Sequence, residues 1–284
     1  MIRKTIIILG SKLPLSLKII FFYFLKFRKL PNLKNPKKLS EKIQKRKFNI
    51  LSVYSELADK IKAKEFALNQ ESRVKTAPNI AVCNSLEEIN FNILPEAFVI
   101  KTNFGSGPEH LELIHSKNIC DWSEITKKFD NAMKSDFYIG SLLGETQYDM
   151  IDRKILIEEM LNSSDGDIPD YKFHMFNNGE DGFVQVDFSR FVSHKRNIYD
   201  LNFNKLPCKL IYENGEFELP SKENLKKLLS CAKKLAEKFD YVRVDLYLIS
   251  DCVYFGEMTF TPGNGFEKFE PSSYDNIFGE YWRD

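Results

Sequence analysis

RVDLYLISDCVYFGEMTF, Arg243 to Phe260, is the stretch on which the fold turns. Apolar and polar residues alternate on both sides of Ser250-Asp251, the pattern of two β-strands joined by a tight turn. Asp245 and Glu257 fall on the consecutive strands with apolar neighbours on both sides. A carboxylate buried there without a partner costs several kcal/mol, so the pair calls for a cation. Hard oxygen ligands from adjacent strands suit Mg2+ shared with nucleotide phosphates. Arg243, two residues before Asp245, points to the same face of its strand and would equally form an internal ion pair with Asp245 or Glu257.

Outward from this hairpin, KENLKKLLSCAKKLAEKF (Lys222–Phe239) is the clearest amphipathic helix. KFHMFNNGEDGFVQVDFSRF (Lys172–Phe191) gives two more alternating strands around an Asn-Asn-Gly turn. KILIEEML (Lys154–Leu161) is an apolar strand ending in Glu158 and Glu159, and LPEAFVIK (Leu94–Lys101) is a compact apolar strand bounded by Pro95. Residues 121–143 predict a helix and connector. NIAVCNSLEEI, from Asn79, predicts a short apolar run and a helical start, and residues 35–70 are rich in helix formers with Ser40 placed as an N-cap. The body is therefore α+β, with several antiparallel hairpins and no internal repeat.

Between two apolar runs lies KTNFGSG, Lys101 to Gly107. Glycines let backbone N–H groups converge on an anion while the upstream lysine adds charge. It is neither GxxxxGK[ST] nor a dinucleotide fingerprint, and an ordinary glycine-serine hairpin turn would have the same composition. Glu158-Glu159 is equally open: such a strand end could offer backbone groups to adenine, and many buried strands end in acids.

The formal net charge of +1 hides an asymmetry. Residues 1–48 hold 14 Lys or Arg and one acid, Glu41, about +13; subtraction from 41 and 40 leaves 27 basic and 39 acidic residues, about −12, for the rest. Such a head either meets an anionic surface or packs on the acidic body. Within it, LPLSLKIIFFYFLKFRKL (Leu13–Leu30) is too short and too charged to span a bilayer and has no small-residue cleavage site. An amphipathic helix, packed on the body or lying on lipid, is expected. The five cysteines are scattered without a CxxC pair, and the four histidines lack metal-ligand spacing, so disulfides and zinc are disfavoured and a reducing cytoplasm is expected.

Taken together, NPKKLSEKIQ, ADKIKAKEF, FVIKTNFGSG, ILIEEML, DYKFHMFNNG, RVDLY and FGEMTFTPGNG, in that order, resemble the TupA-like branch of the ATP-grasp superfamily, from about Asn35 to the C-terminus. The resemblance implies an ATP-grasp fold, two α+β lobes whose antiparallel sheets clasp ATP, with a central lobe at about 80–157, a C-terminal lobe at about 158–284 and the basic head 1–48 in front. It implies that Lys101 and, less directly, Lys60 contact ATP phosphates, that Gly105, Ser106 and Gly107 form the mobile loop, and that Glu158, Glu159, Met160 and Leu161 receive adenine. Asp165 would take the ribose, Asp245 and Glu257 would hold Mg2+, and Arg243 would stabilise the transferred phosphoryl group. Many ATP-grasp enzymes have Asn two residues after the second metal acid; here Thr259 stands there, able to coordinate or orient a water. Lys172 and Arg190 are further candidates for binding phosphate or an acidic substrate.

The implied activity is amide formation from a carboxylate and an amine through an acyl phosphate, with a uronic-acid carboxyl of a bacterial surface polysaccharide or lipid-linked saccharide as one substrate and an amino acid or amino sugar as the other. No nucleic acid is expected. The competing class is a glycosyltransferase of the same polysaccharide with a DxD metal site, for which the nearest string is Asp165-Gly166-Asp167.

Overall fold

The computed structural model describes residues 10–134, 139–161, 167–190 and 192–283. The helices, in chain order, are α1 (Leu15–Phe27), α2 (Leu39–Arg46), α3 (Ser52–Ala58), α4 (Lys60–Gln70), α5 (Trp122–Lys134), α6 (Lys222–Ala236) and α7 (Ser273–Tyr281), with shorter helical turns between them. The strands are β1 (Val74–Thr76), β2 (Asn79–Cys83), β3 (Phe98–Thr102), β4 (Leu111–Ile114), β5 (Ile155–Glu159), β6 (Asp170–Phe176), β7 (Asp181–Phe188), β8 (Lys195–Asp200), β9 (Lys209–Leu210), β10 (Tyr241–Ile249), β11 (Cys252–Thr259) and β12 (Phe269–Glu270).

β10 and β11 are the hairpin expected at Arg243–Phe260. Ser250 and Asp251 both adopt left-handed backbone, φ 48° and 62°, which matches strand twist at a two-residue turn. β6 and β7 are joined at Asn177, Asn178 and Gly179, again all with positive φ. The two hairpins share a six-stranded sheet in the order β1-β11-β10-β6-β7-β8, antiparallel except where β1 runs parallel to β11. Its apolar face carries Phe173, Val184, Val242, Val244 and Leu246, and α6 covers it with Leu228, Ala232 and Leu235 while α4 adds Ala63 and Ala67. Each fully buried Leu, Val or Phe contributes about 1.5–3 kcal/mol, so this layer is the main source of stability. Strand alternation leaves Arg243, Asp245 and Tyr247 of β10 and Asp170, Lys172 and His174 of β6 on the opposite face.

The smaller sheet, β2-β5-β3-β4, is antiparallel throughout. Phe98, Ile100, Ile114, Ile155 and Ile157 form its core with Ile125 and Phe129 of α5. α3, α4 and β1, which precede it in sequence, pack with the larger sheet.

Ser40 does not cap a helix. Lys38 occupies that position, and the Ser40 hydroxyl donates instead to Asp275 Oδ2 of α7 at 2.6 Å, with the Tyr23 hydroxyl 3.0 Å away. A buried tertiary acid outcompetes the local backbone. Glu41 is the residue that ties down the turn, accepting from the backbone N–H groups of Asn32 at 3.1 Å and Lys37 at 3.2 Å.

Part of the basic head is committed inward. Arg46 donates to Tyr241 O at 2.7 Å and to Asp240 at 2.5 Å, and its guanidinium sits 4.2 Å from the Trp282 ring centroid. Lys47 is buried and donates to Gln44 Oε1 at 2.8 Å, to Leu143 O at 3.2 Å and to Asn264. α1 buries Ile19, Phe22 and Tyr23. Among the described residues no helix is long and apolar enough to cross a membrane.

Candidate active site

The polar face of the larger sheet is built by register. Asp245 lies opposite Glu257 on β11 and opposite Lys172 on β6. Phe255 and Glu257 would share a face in a regular strand, yet Phe255 is in the core. The register shifts between Asp245 and Leu246, leaving Gly256 unpaired as a bulge that turns Glu257 and Thr259 toward the polar side. A Cβ on Gly256 would fall 2.9 Å from Tyr247 Cε2.

On this face Arg243 grips Asp245 with two hydrogen bonds, Nε to Oδ1 at 2.7 Å and Nη2 to Oδ2 at 2.8 Å, and Nη2 also reaches Glu257 Oε1 at 2.7 Å. The internal ion pair expected as an alternative is therefore present. Lys172 donates to Asp245 and, at 2.5 Å, to Asp170 Oδ2, which also accepts from Arg190 Nη1 at 3.2 Å. Thr259 Oγ1 lies 3.3 Å from Glu257 Oε1. Burial pushes Asp245 up to about 6 against the pull of Arg243 and Lys172. At Glu257 desolvation also works upward, but Arg243, Lys60 and Lys172 override it and hold the acid at about 2. Burial works against the charged form of Lys172, and Asp170 and Asp245 nevertheless raise its pKa.

A second cluster belongs to the smaller sheet and α4. Glu158 is buried between Lys101, 2.6 Å from its Oε2, and Lys64, which also donates to Ala77 O at 2.6 Å. Lys60, capped into the start of α4 by Asp59, donates to Gly105 O at 2.7 Å. Burial lowers the pKa of both Lys60 and Lys64. The loop itself is braced by Thr102 Oγ1, which accepts from Gly105 N at 3.1 Å and meets His110 Nδ1 at 2.9 Å. Gly105 is buried under the His110 ring, where a Cβ would come within 2.0 Å of Nδ1, whereas Ser106 and Gly107 are exposed and Gly107 has φ 89°. The charge of Lys60 acts on Glu257, so the two clusters share one electrostatic environment.

Of the remaining candidates, Glu159 is exposed at the end of β5, and Met160 and Leu161 are half-buried just beyond it. Glu158, buried and doubly paired, presents no side chain free for adenine or ribose; its backbone and its neighbours carry that expectation. Asp165 lies outside the described residues. Asp167 accepts from the Arg190 backbone N–H at 3.0 Å. Asp170, Lys64 and His110 were not expected. The signal for Asp170 was there: it stands two residues before Lys172 on an apolar strand, the spacing that singles out Arg243 and Asp245.

A family described as TupA-like ATPgrasp matches residues 40–283. The chain belongs to the TupA-like ATP-grasp family. With that membership come the α+β ATP-grasp fold and the use of ATP that it implies. No curated protein matches this TupA-like chain. Similar solved structures include the D-alanine–D-alanine ligase of Bacillus anthracis complexed with ATP, 17% identical over 74% of this chain and 56% of that one, TM-score 0.42. The L-amino acid ligase of Bacillus licheniformis is 11% identical over 83% and 50%, TM-score 0.48. The biotin carboxylase of Campylobacter jejuni is 14% identical over 82% and 48%, TM-score 0.44. The TupA-like chain thus spans about half the length of the solved structures it matches.

Proposed function

We propose that this protein is an ATP- and Mg2+-dependent carboxylate–amine ligase that forms an amide through an acyl phosphate. The observation that carries this is the convergence of Arg243, Asp245, Glu257 and Lys172 on one sheet face, under the electrostatic reach of Lys60 and its glycine loop.

The donor set fits a hard divalent cation: two carboxylates paired across a ladder with a threonine hydroxyl beside them, Glu257 keeping 35% of its side chain exposed. Asp245, Glu257 and Thr259 would hold it, and when bound it would neutralise charge between the phosphates. Lys101 and Lys60 would bind phosphate oxygens, with Gly105, Ser106 and Gly107 offering backbone N–H groups. The end of β5, Glu158 to Leu161, would seat adenine, and Asp165 the ribose. Arg243 would stabilise charge on the phosphoryl group and then on the tetrahedral centre formed by the amine. Catalysis of this kind is positioning and electrostatics, with no nucleophilic side chain.

We further propose a uronic-acid carboxyl of a bacterial surface polysaccharide precursor as the carboxylate and an amino acid or amino sugar as the amine. Arg190, partly exposed beside Asp170, would receive such an acid. The test is ADP release with uronic acids and amino acids, each alone and paired, followed by mass analysis. ADP release that requires both, with a product joined by loss of water, supports the ligase. Stabilisation by UDP-sugars rather than by ATP would favour the glycosyltransferase.

A further inference from the structure

α1 has two apolar faces. Ile19, Phe22 and Tyr23 point inward and are buried, with the Tyr23 hydroxyl at Ser40. Leu17, Phe21 and Phe24, spaced by four and three residues, form a stripe on the outer side that is 53%, 36% and 45% exposed. A helix that only packed on the body would place polar residues there. The helix ends at Arg28, left-handed at φ 58°, and the chain continues through Lys29 to Leu30, itself 69% exposed. Lys12, Lys26, Arg28, Lys29, Lys34 and Lys37 are all exposed along this segment. No acid occurs before Glu41, whose carboxylate is taken up by backbone N–H groups.

We propose that the outer face of α1, the Leu17–Phe21–Phe24 stripe with the exposed cations Lys12, Arg28 and Lys29 just beyond the two ends of the helix, seats the protein on an anionic phospholipid bilayer. An apolar strip with cations at its two ends matches the boundary between acyl chains and acidic headgroups, where the strip leaves water and the cations stay at the surface. A second copy of the chain is a poor occupant. Two such faces brought together would oppose cation to cation. A nucleic-acid duplex would satisfy the cations and leave the phenylalanines in water, its bases being already stacked.

Full-length protein is centrifuged with vesicles of phosphatidylcholine alone and of phosphatidylcholine mixed equally with phosphatidylglycerol, at low and physiological salt. The expected result is binding to the anionic vesicles only, weakened by salt. It should fall about tenfold both in the combined Leu17→Ser, Phe21→Ser, Phe24→Ser variant and in the combined Lys26→Gln, Arg28→Gln, Lys29→Gln variant. Phe21→Trp adds a readout that does not depend on the triple variants folding, since its fluorescence should shift to the blue on anionic vesicles. Failure of the wild type to bind overturns the proposal. So does unchanged binding by the serine variant, which would mark a generic polyanion surface, or a tryptophan that stays in water while the protein sediments. A solution dimer lost on serine substitution would assign the stripe to a second copy and overturn it as well.

Discussion

Lys172 stands directly across the β6–β10 ladder from Asp245 and shares its ammonium between that carboxylate and Asp170. All three side chains are buried, so the single charge of the lysine is divided between two acids that Arg243 and Arg190 help to balance. Lys172→Met should therefore destabilise the fold by about 3–5 kcal/mol, the scale for leaving a buried charge unpaired. Adding Asp170→Asn should recover part of that loss. Urea unfolding of the single and double variants measures it; a single variant as stable as wild type would show that Arg243 and Arg190 suffice.

The two proposed metal acids should respond differently to neutralisation. Glu257 is one-third exposed, so Glu257→Gln should change melting little, while Asp245→Asn removes the charge and one of the two oxygens that accept from Arg243 and Lys172 and should melt earlier. Both should lower ADP formation by about a hundredfold or more if they hold the cation at the transferred phosphoryl group. A folded Glu257→Gln protein with full turnover would reduce the acid to an ion-pair partner.

Gly256 sets which way Glu257 points. Gly256→Val would drive its side chain into Tyr247 and toward the Asp245 carbonyl, 3.2 Å from the first carbon. The expected cost is about 1–3 kcal/mol of stability with turnover lost disproportionately, because the acids lose their register. Thermal melts and ADP release on the same sample separate the two effects.

His110 makes stability depend on pH. Burial, and then the charge of Lys60, depress its pKa to about 4 from the usual 6.5. The unfolded chain thus binds a proton that the folded one refuses, so stability is full above about pH 6.5 and falls as pH drops toward 4. His110→Gln should flatten the melting temperature across this window. A wild-type curve no steeper than the variant's would mean that the loop opens freely to protonate the ring.

Much of the architecture was legible because short-range rules agreed with the global fold. The Ser250-Asp251 and Asn-Asn-Gly turns named their own geometry, and the spacing of Leu228, Ala232 and Leu235 named the buried side of α6. Arg243 and Asp245 were legible by their two-residue spacing on one strand, and Lys172 came with the DYKF block of the family resemblance. Glu257 was reached as the acid on the strand after Asp245, although strict alternation would have put it on the core face with Phe255; the bulge that turns it to the polar side has only a lone glycine, Gly256, as its signal. Ser40 was misread because its partner, Asp275, lies 235 positions away. Lys64 looked like any other lysine of a basic helix, and only the fold brings it to Glu158.

The charges around Asp245 cancel: Asp170, Asp245 and Glu257 against Lys172, Arg190 and Arg243. A bare divalent ion approaching this ensemble meets no net attraction and must dislodge an arginine or a lysine from its carboxylate. A polyphosphate approaching alone finds the cations already engaged. If this face is the proposed magnesium and phosphate site, the two arriving together would each satisfy the partners that the other releases, the acids taking the cation and Arg243 and the lysines the phosphates. Magnesium and ATP should then be thermodynamically coupled ligands: the melting shift with both present should exceed the sum of the shifts with each alone, and magnesium by itself should do almost nothing.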